Sequence, residues 1–506
     1  MSEATRPAGL LPPWKVAELP APPAFTFRNV LAVVGPGTIA LSMSIGTGEW
    51  ILGPMVTVKY GFSMMWIVLL GILFQLFMNL EFIRYTVYTG EPTVNGFMRM
   101  WPAPVAWAGI YIVLALCQLA WPAWAKSSAA VIFALVKGHL PGEVPGVDDS
   151  TALYVMGVIP FLATIMIVSV GGKTERMLEI VNKIMVVFVL GFLVVMCVLF
   201  VKPAIWGQAL VGHLGLGSTP EGFRFELIPK GADFVLLAGF AGFAANGGIG
   251  NVMTSNWIRD KGYGMGSVVG YISTAIGGRK VNVSPVGSVF ETTPENLSRW
   301  RAWWKYLHVD QTVVWAVGCF LGMFLNVILA KAIMPAGQQI SGVQVGAFQA
   351  KFLAEHGGPI LWYLTLLNGF WILFGSQLSI VDGFVRLTTD IFWSGSSKVR
   401  EIAKGDIRKV YYSLLVLFAI WGCIAMQLEG GKLVRIASNA AAFILVIAGT
   451  HVLFLNRRFL PRELQSPVPL RIGVALGVVF YAIFSTLSVG QQLGWWGTPS
   501  GAGGGH

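Results

Sequence analysis

About eleven stretches of roughly 20 residues with few charges recur along this chain, and no other feature restricts its fold so severely. Hydrocarbon offers no water to backbone N–H and C=O groups, so a stretch of this kind crosses a bilayer as a helix that satisfies its own backbone. The pattern predicts spans at approximately 30–57, 64–88, 104–136, 152–170, 179–202, 232–258, 310–334, 359–385, 409–427, 433–455 and 469–489. Of 506 residues, 55% are hydrophobic and 12% charged, which leaves no room for a sizeable soluble domain.

A formal net charge of +11 raises the possibility of a nucleic-acid partner, but the placement of the charge argues against one. With the N-terminus in the cytosol, about 25 of the 35 Lys and Arg fall inside and about nine outside, the bias expected of an integral protein of the cell membrane. Eleven spans then put the C-terminus outside. Residues 1–28, rich in Pro and Ala, read as a flexible cytosolic arm, and residues 491–506 as a flexible tail. The long inner connection 259–309 ends in the aromatic, basic stretch Trp300 to Lys305, suited to a membrane interface. Cys117, Cys197, Cys319 and Cys423 are dispersed with no metal or disulfide spacing and read as packing residues.

Two spans are interrupted. Gly46-Thr47-Gly48-Glu49 breaks the first, and Gly247-Gly248-Ile249-Gly250-Asn251 breaks the sixth about 200 residues later. This places a break at the head of each of two halves, about 30–202 and 232–455, as in inverted repeats with discontinuous helices; span 469–489 is then an extra helix. A break at mid-membrane frees backbone groups that a bound solute can satisfy. The alternative is that glycine here only allows close helix packing.

Several stretches, taken in order, resemble the Nramp family of metal-ion transporters. They are Gly35-Pro36-Gly37, the RYTVYTG stretch from Arg84 to Gly90, GGKTERMLE at 171–179, VKPAIW at 201–206, Asp310-Gln311-Thr312, and Gly375 to Ser379. The resemblance covers about residues 28–490. It implies an all-α, LeuT-like membrane protein of five-plus-five inverted repeats, with helices 1 and 6 discontinuous and 29–490 forming one transporter domain. It also implies a secondary transporter working by alternating access. The chain departs from the family at the site. Gly46, Thr47, Gly48 and Glu49 stand where the family has Asp-Pro-Gly-Asn, and Gly248, Ile249 and Gly250 where it has Met-Pro-His. Trp121, Trp124 and Lys126 occupy the region where the family's third helix carries acidic residues.

No thioether or imidazole is left at the matched positions, so the expected preference is for a hard, oxygen-seeking cation such as Mg²⁺, bare or as a carboxylate chelate such as metal citrate. The candidate metal ligands are Glu49, Thr47 and Asn251. The candidate substrate-binding residues are Gly46, Thr47, Gly48, Glu49, Lys126, Asn246, Gly247, Gly248, Gly250, Asn251 and Gln377. Lys126 either pairs with Glu49 or both contact substrate, and the second option fits a metal chelate of an organic acid or the acid itself, the alternative cargo being a metal-free organic anion or amino acid. Asp382 is read as pairing with an inner Arg, Glu81 with Arg84, and Asn79, Asn326 and Asn439 as interhelical donors; His451 is a lesser candidate for carrying protons. The chain has no paired-histidine zinc motif, nucleophile elbow or phosphate loop, so neither an enzyme nor a bound cofactor is expected. The expected partners are a small solute or metal ion and membrane lipid.

Overall fold

The computed structural model describes residues 9–495 apart from 220–221, 336–343, 345–346 and 429, so residues 1–8 and the tail from 496 lie outside the described residues. Among the described residues, nine helical runs are long and apolar enough to cross a membrane. Two local features reconcile nine with the expected eleven. The run Pro36–Thr89 is two crossings, because Gly61 at φ +70° ends the first and a short 3-10 turn starts the second. Span 6 consists of two short halves, Phe234–Gly242 and Ile249–Lys261, each too short to cross alone.

The reversal at Gly61 is visible in what its two arms touch. Gly35 N and Gly37 N, at the start of span 1, donate to the Asp310 carboxylate at 3.0 and 2.8 Å. Near the far end of span 2 (Met65–Thr89), Asn79 donates to Gln311 at 3.2 Å and Arg84 lies 4.2 Å from the ring of Trp304. Both ends therefore meet one short stretch of the chain. That stretch joins the helix Pro294–His308 to span 7, which begins with π-helical turns at Val309–Ala316 and continues as Val317–Ile333.

The other crossings are span 3 (Pro104–Leu119 and Ala123–Lys137), span 4 (Ser150–Ser169), span 5 (Thr174–Phe200), span 8 (Pro359–Gly395), span 9 (Ile407–Ala425), span 10 (Gly430–Phe459) and span 11 (Val468–Gln492). Pro122 separates the two helices of span 3. Span 8, at 37 residues, is about 55 Å long and buried over most of its length.

The described part of residues 1–28 is docked. Lys15–Val16 pair in parallel with Ser288–Val289, Leu19 is fully buried, and Arg99 donates to the Pro12 carbonyl at 2.8 Å. Arg299, Trp303 and Tyr306 donate to the carbonyls of Leu19, Pro20 and Ala24 at 2.8, 2.8 and 2.9 Å. The helix that carries them buries Trp300, Trp303 and Trp304 in the protein and exposes Arg301 and Lys305.

Charges cluster where spans 5, 6 and 8 converge on this same side. Arg386 pairs with Asp260 and with Asp382, the latter at 2.6 Å; Arg259 pairs with Asp390 at 2.5 Å, and Lys261 with Glu179 and Glu175. Asp382 thus finds its arginine one turn along its own helix. Glu81 and Arg84 pair as expected, at 3.5 Å. Asn79 bonds between helices, whereas Asn326 bonds within its own. On the opposite side, Lys351 donates to Glu143 at 2.6 Å and so holds that carboxyl below the usual range.

Asp310 fixes span 1 through two buried N–H groups at a helix N-terminus. Asp310→Ala leaves both donors without an acceptor and is expected to cost about 2–4 kcal/mol, lowering the melting temperature of the detergent-solubilised protein. Asp310→Asn keeps an acceptor oxygen and should lower it less. Melting temperatures equal to wild type for both variants would show that this cap does not anchor span 1.

Candidate functional site

The two breaks lie against each other. A β-carbon on Gly48 would come within 1.9 Å of the Phe243 carbonyl oxygen, so only glycine permits this approach of span 1 to span 6. Beside the contact is a small cavity lined by Met43, Ser44, Thr47, Gly48, Gln118, Leu119, Trp124, Phe243, Ala245 and Asn246. Met43 and Thr47, and Ser44 and Gly48, are each four residues apart, so one face of span 1 presents all four.

Several of the freed backbone groups already have partners within the protein, where the expectation was that a solute would take them. Gly46 N donates to Glu49 Oε2 at 3.1 Å, and Ser376 Oγ lies 3.2 Å from the carbonyl oxygens of both Ser42 and Met43. In span 6, Gly247 N donates to Gln75 Oε1, Gln118 Nε2 donates to the Gly247 carbonyl, and Ile249 N donates to Gln118 Oε1, each at 2.9 Å. Gly247 and Gly248 have φ of +70° and +53°, a region that disfavours side chains. These glycines shape the break.

Of the expected site residues, Thr47, Gly48 and Asn246 line the cavity. Asn246 Oδ1 meets Ser44 Oγ and accepts from Trp315 Nε1 at 3.1 Å. Glu49 is fully buried one turn away and points toward span 7, where its Cγ is 3.7 Å from the β-position of Gly322. Gly46 packs on Ser376 and Gly250 on Met43. Asn251 donates to Asn79 at 2.9 Å. Gln377 Oε1 accepts from Ala125 N at 3.1 Å, which brings span 8 to the start of the second half of span 3.

Lys126 does not pair with Glu49, and no described carboxylate lies within ion-pair distance of it. Two residues beyond cavity-lining Trp124, it sits about 200° further round the helix, away from the cavity. His451 stacks at 4.1 Å on both Phe97 and Trp107 and shares its Nδ1 with the Tyr111 hydroxyl.

Sequence reasoning missed Gln75, Gln118, Trp315 and Met43. Met43 supplies a thioether to the cavity from span 1, at a position outside the family-matched motif. The available signal was the two glutamines themselves, uncharged amides in otherwise apolar runs. Among the described residues no cluster of three or more His, Cys, Asp and Glu is placed to hold a metal ion.

No protein-family model matches the chain, and no curated protein does. Solved structures do. One mutant form of the manganese transporter of Eremococcus coleocola aligns at TM-score 0.60 and 15% identity over 96% of this chain and 92% of that one. The same transporter in complex with an aromatic bis-isothiourea substituted compound aligns at TM-score 0.57 and 13% identity, over 100% and 93%.

Gly248→Ala would drive a β-carbon to 2.3 Å from Gln118 Oε1 and 3.0 Å from the Ala441 backbone, at positive φ. It should lower the melting temperature by several degrees, roughly the effect of losing 2–4 kcal/mol. Gly109→Ala, in the open helix face of span 3, should be neutral or slightly stabilising and serves as the control. If the two variants melt alike, the span 6 break is not sterically closed. The chain is therefore a polytopic helical membrane protein with the LeuT-like fold of the Eremococcus coleocola manganese transporter.

Proposed function

We propose that this protein is a divergent Nramp-like secondary transporter that moves a divalent cation across the cell membrane by alternating access. Its ligands are oxygen donors with a Mg²⁺-like preference, and the cation travels bare or as a carboxylate chelate such as metal citrate. One observation carries the reading. Thr47 Oγ1, Glu49 Oε1 and Asn251 Oδ1, the three expected metal ligands, are all buried oxygens without a hydrogen-bond partner. Buried oxygens are nearly always satisfied, and a hard cation is one partner that would satisfy them. The likeness to a manganese transporter supports a metal cargo. The N-terminus is assigned to the cytosol on the distribution of Lys and Arg.

The cavity itself favours a second reading, a metal-free organic anion or amino acid. No charged residue lines it, and Trp124 and Phe243 give it an aromatic wall with ring centroids 6.0 Å apart.

Calorimetry and proteoliposome uptake with Mg²⁺, citrate and the two together separate these readings. The cation reading expects Mg²⁺ uptake exceeding Mn²⁺ uptake, reduced about tenfold or more by Glu49→Gln and little changed by Lys126→Ala. The organic-solute reading expects citrate or amino-acid binding without metal. Mn²⁺ uptake as strong as Mg²⁺ uptake, with Glu49→Gln silent, would overturn the hard-cation assignment.

A further inference from the structure

The cavity is bounded by a third break, and one side chain joins it to the second. Span 3 stops at Leu119 and restarts at Ala123, with Pro122 at φ −79°, ψ 42°, outside helical geometry. Gln118 lies in the last turn before this gap, and Trp124 in the first turn after it. Gln118 reaches forward across span 6 to hold the Gly247 carbonyl, within the break, and the N–H of Ile249, the first helical residue beyond it. Trp124 packs on Phe243, before the break. The two sides of one gap thus grip the two sides of the other crosswise.

We propose that Gln118 is a positioning residue that locks the span 3 and span 6 breaks into one hinge, so that neither can open to the cavity without the other. An amide is the group this position needs. It must donate on one side of Gly248 and accept on the other, and Gln118 uses both atoms at 2.9 Å while fully buried. Gly248, without a β-carbon, leaves room for the amide to pass. Gln75 holds a further freed N–H, that of Gly247, and its Nε2 lies 3.1 Å from the Tyr481 hydroxyl of span 11, so span 6 is braced from a second direction. The inference deepens the transporter reading, but its test needs no transport.

The test measures how fast a thiol-reactive maleimide labels Ala245→Cys, a buried cavity position, in the substrate-free protein, relative to the denatured chain. Cys117 and Cys423, which are exposed or half-buried, are first changed to Ser. With Gln118 intact, labelling should be slow. Gln118→Leu, which can neither donate nor accept, should speed it about tenfold, as expected when hydrogen bonds of this kind are lost. Gln118→Glu is the decisive variant, compared with wild type, Gln118→Leu and the denatured chain all labelled at pH 5.5, because the thiolate fraction sets the maleimide rate. A buried carboxyl is neutral there, and its O–H can donate to Gly247 while its C=O accepts from Ile249, so labelling should return to the slow rate. No cavity-lining residue titrates near this pH. The proposal is overturned if Gln118→Leu labels at the wild-type rate, or if Gln118→Glu at pH 5.5 labels as fast as Gln118→Leu. If Gln118→Leu does not fold, Gln118→Met keeps the length without the polar atoms and takes its place. Failed Mg²⁺ uptake with these labelling results intact would overturn the cargo and leave the hinge.

Discussion

The structure depends on a rule of the bilayer: a backbone group freed from a helix in hydrocarbon must be given a partner. Spans 1, 3 and 6 all break partway along their length, and at spans 1 and 6 the partners come largely from other spans. Ser376 of span 8 serves span 1, while Gln75 of span 2 and Gln118 of span 3 serve span 6. Each partner is also a register mark, since a helix displaced by one residue would lose it. In an apolar surrounding such bonds face no competition from water, so a few amides hold the centre of the bundle.

That centre contrasts with the side where the docked arm lies. The cavity is lined by uncharged residues, whereas the meeting of spans 5, 6 and 8 is filled by ion pairs between fully buried groups such as Arg386, Asp260 and Asp382. Buried pairs of this kind add little net stability, yet breaking one is costly because it strands a charge. Spans 6 and 8 are thereby obliged to move together on that side or to exchange partners in concert.

The glycine breaks and the order of the spans were legible because glycine at positive φ and apolar length both leave direct marks in sequence. Gly48 against Phe243 and the paired positive φ of Gly247 and Gly248 are the physical content of those marks. The glutamines were not legible. A lone amide in an apolar run looks the same whether it bonds within its helix, as Asn326 does, or braces another, as Gln118 does. The depth of Lys126 along its helix could be read, but its direction could not, because the break at Pro122 resets the helical phase that periodicity would otherwise carry from the first half of span 3. The arm misled for a different reason. Its proline-rich composition argues against helix and strand, yet its bare carbonyls are what Arg299, Trp303 and Tyr306 bind.

Those carbonyls are 280 or more residues away in sequence from the side chains that hold them. During synthesis, residues 15–24 have nothing to bind until Ser288–Val289 and the helix that precedes span 7 have been made. The segment must stay soluble and unpaired while six spans insert, a demand that prolines and alanines meet and an early helix or strand would not. Its docking then closes a loop of 280 or more residues, and so must follow the insertion of the spans within it.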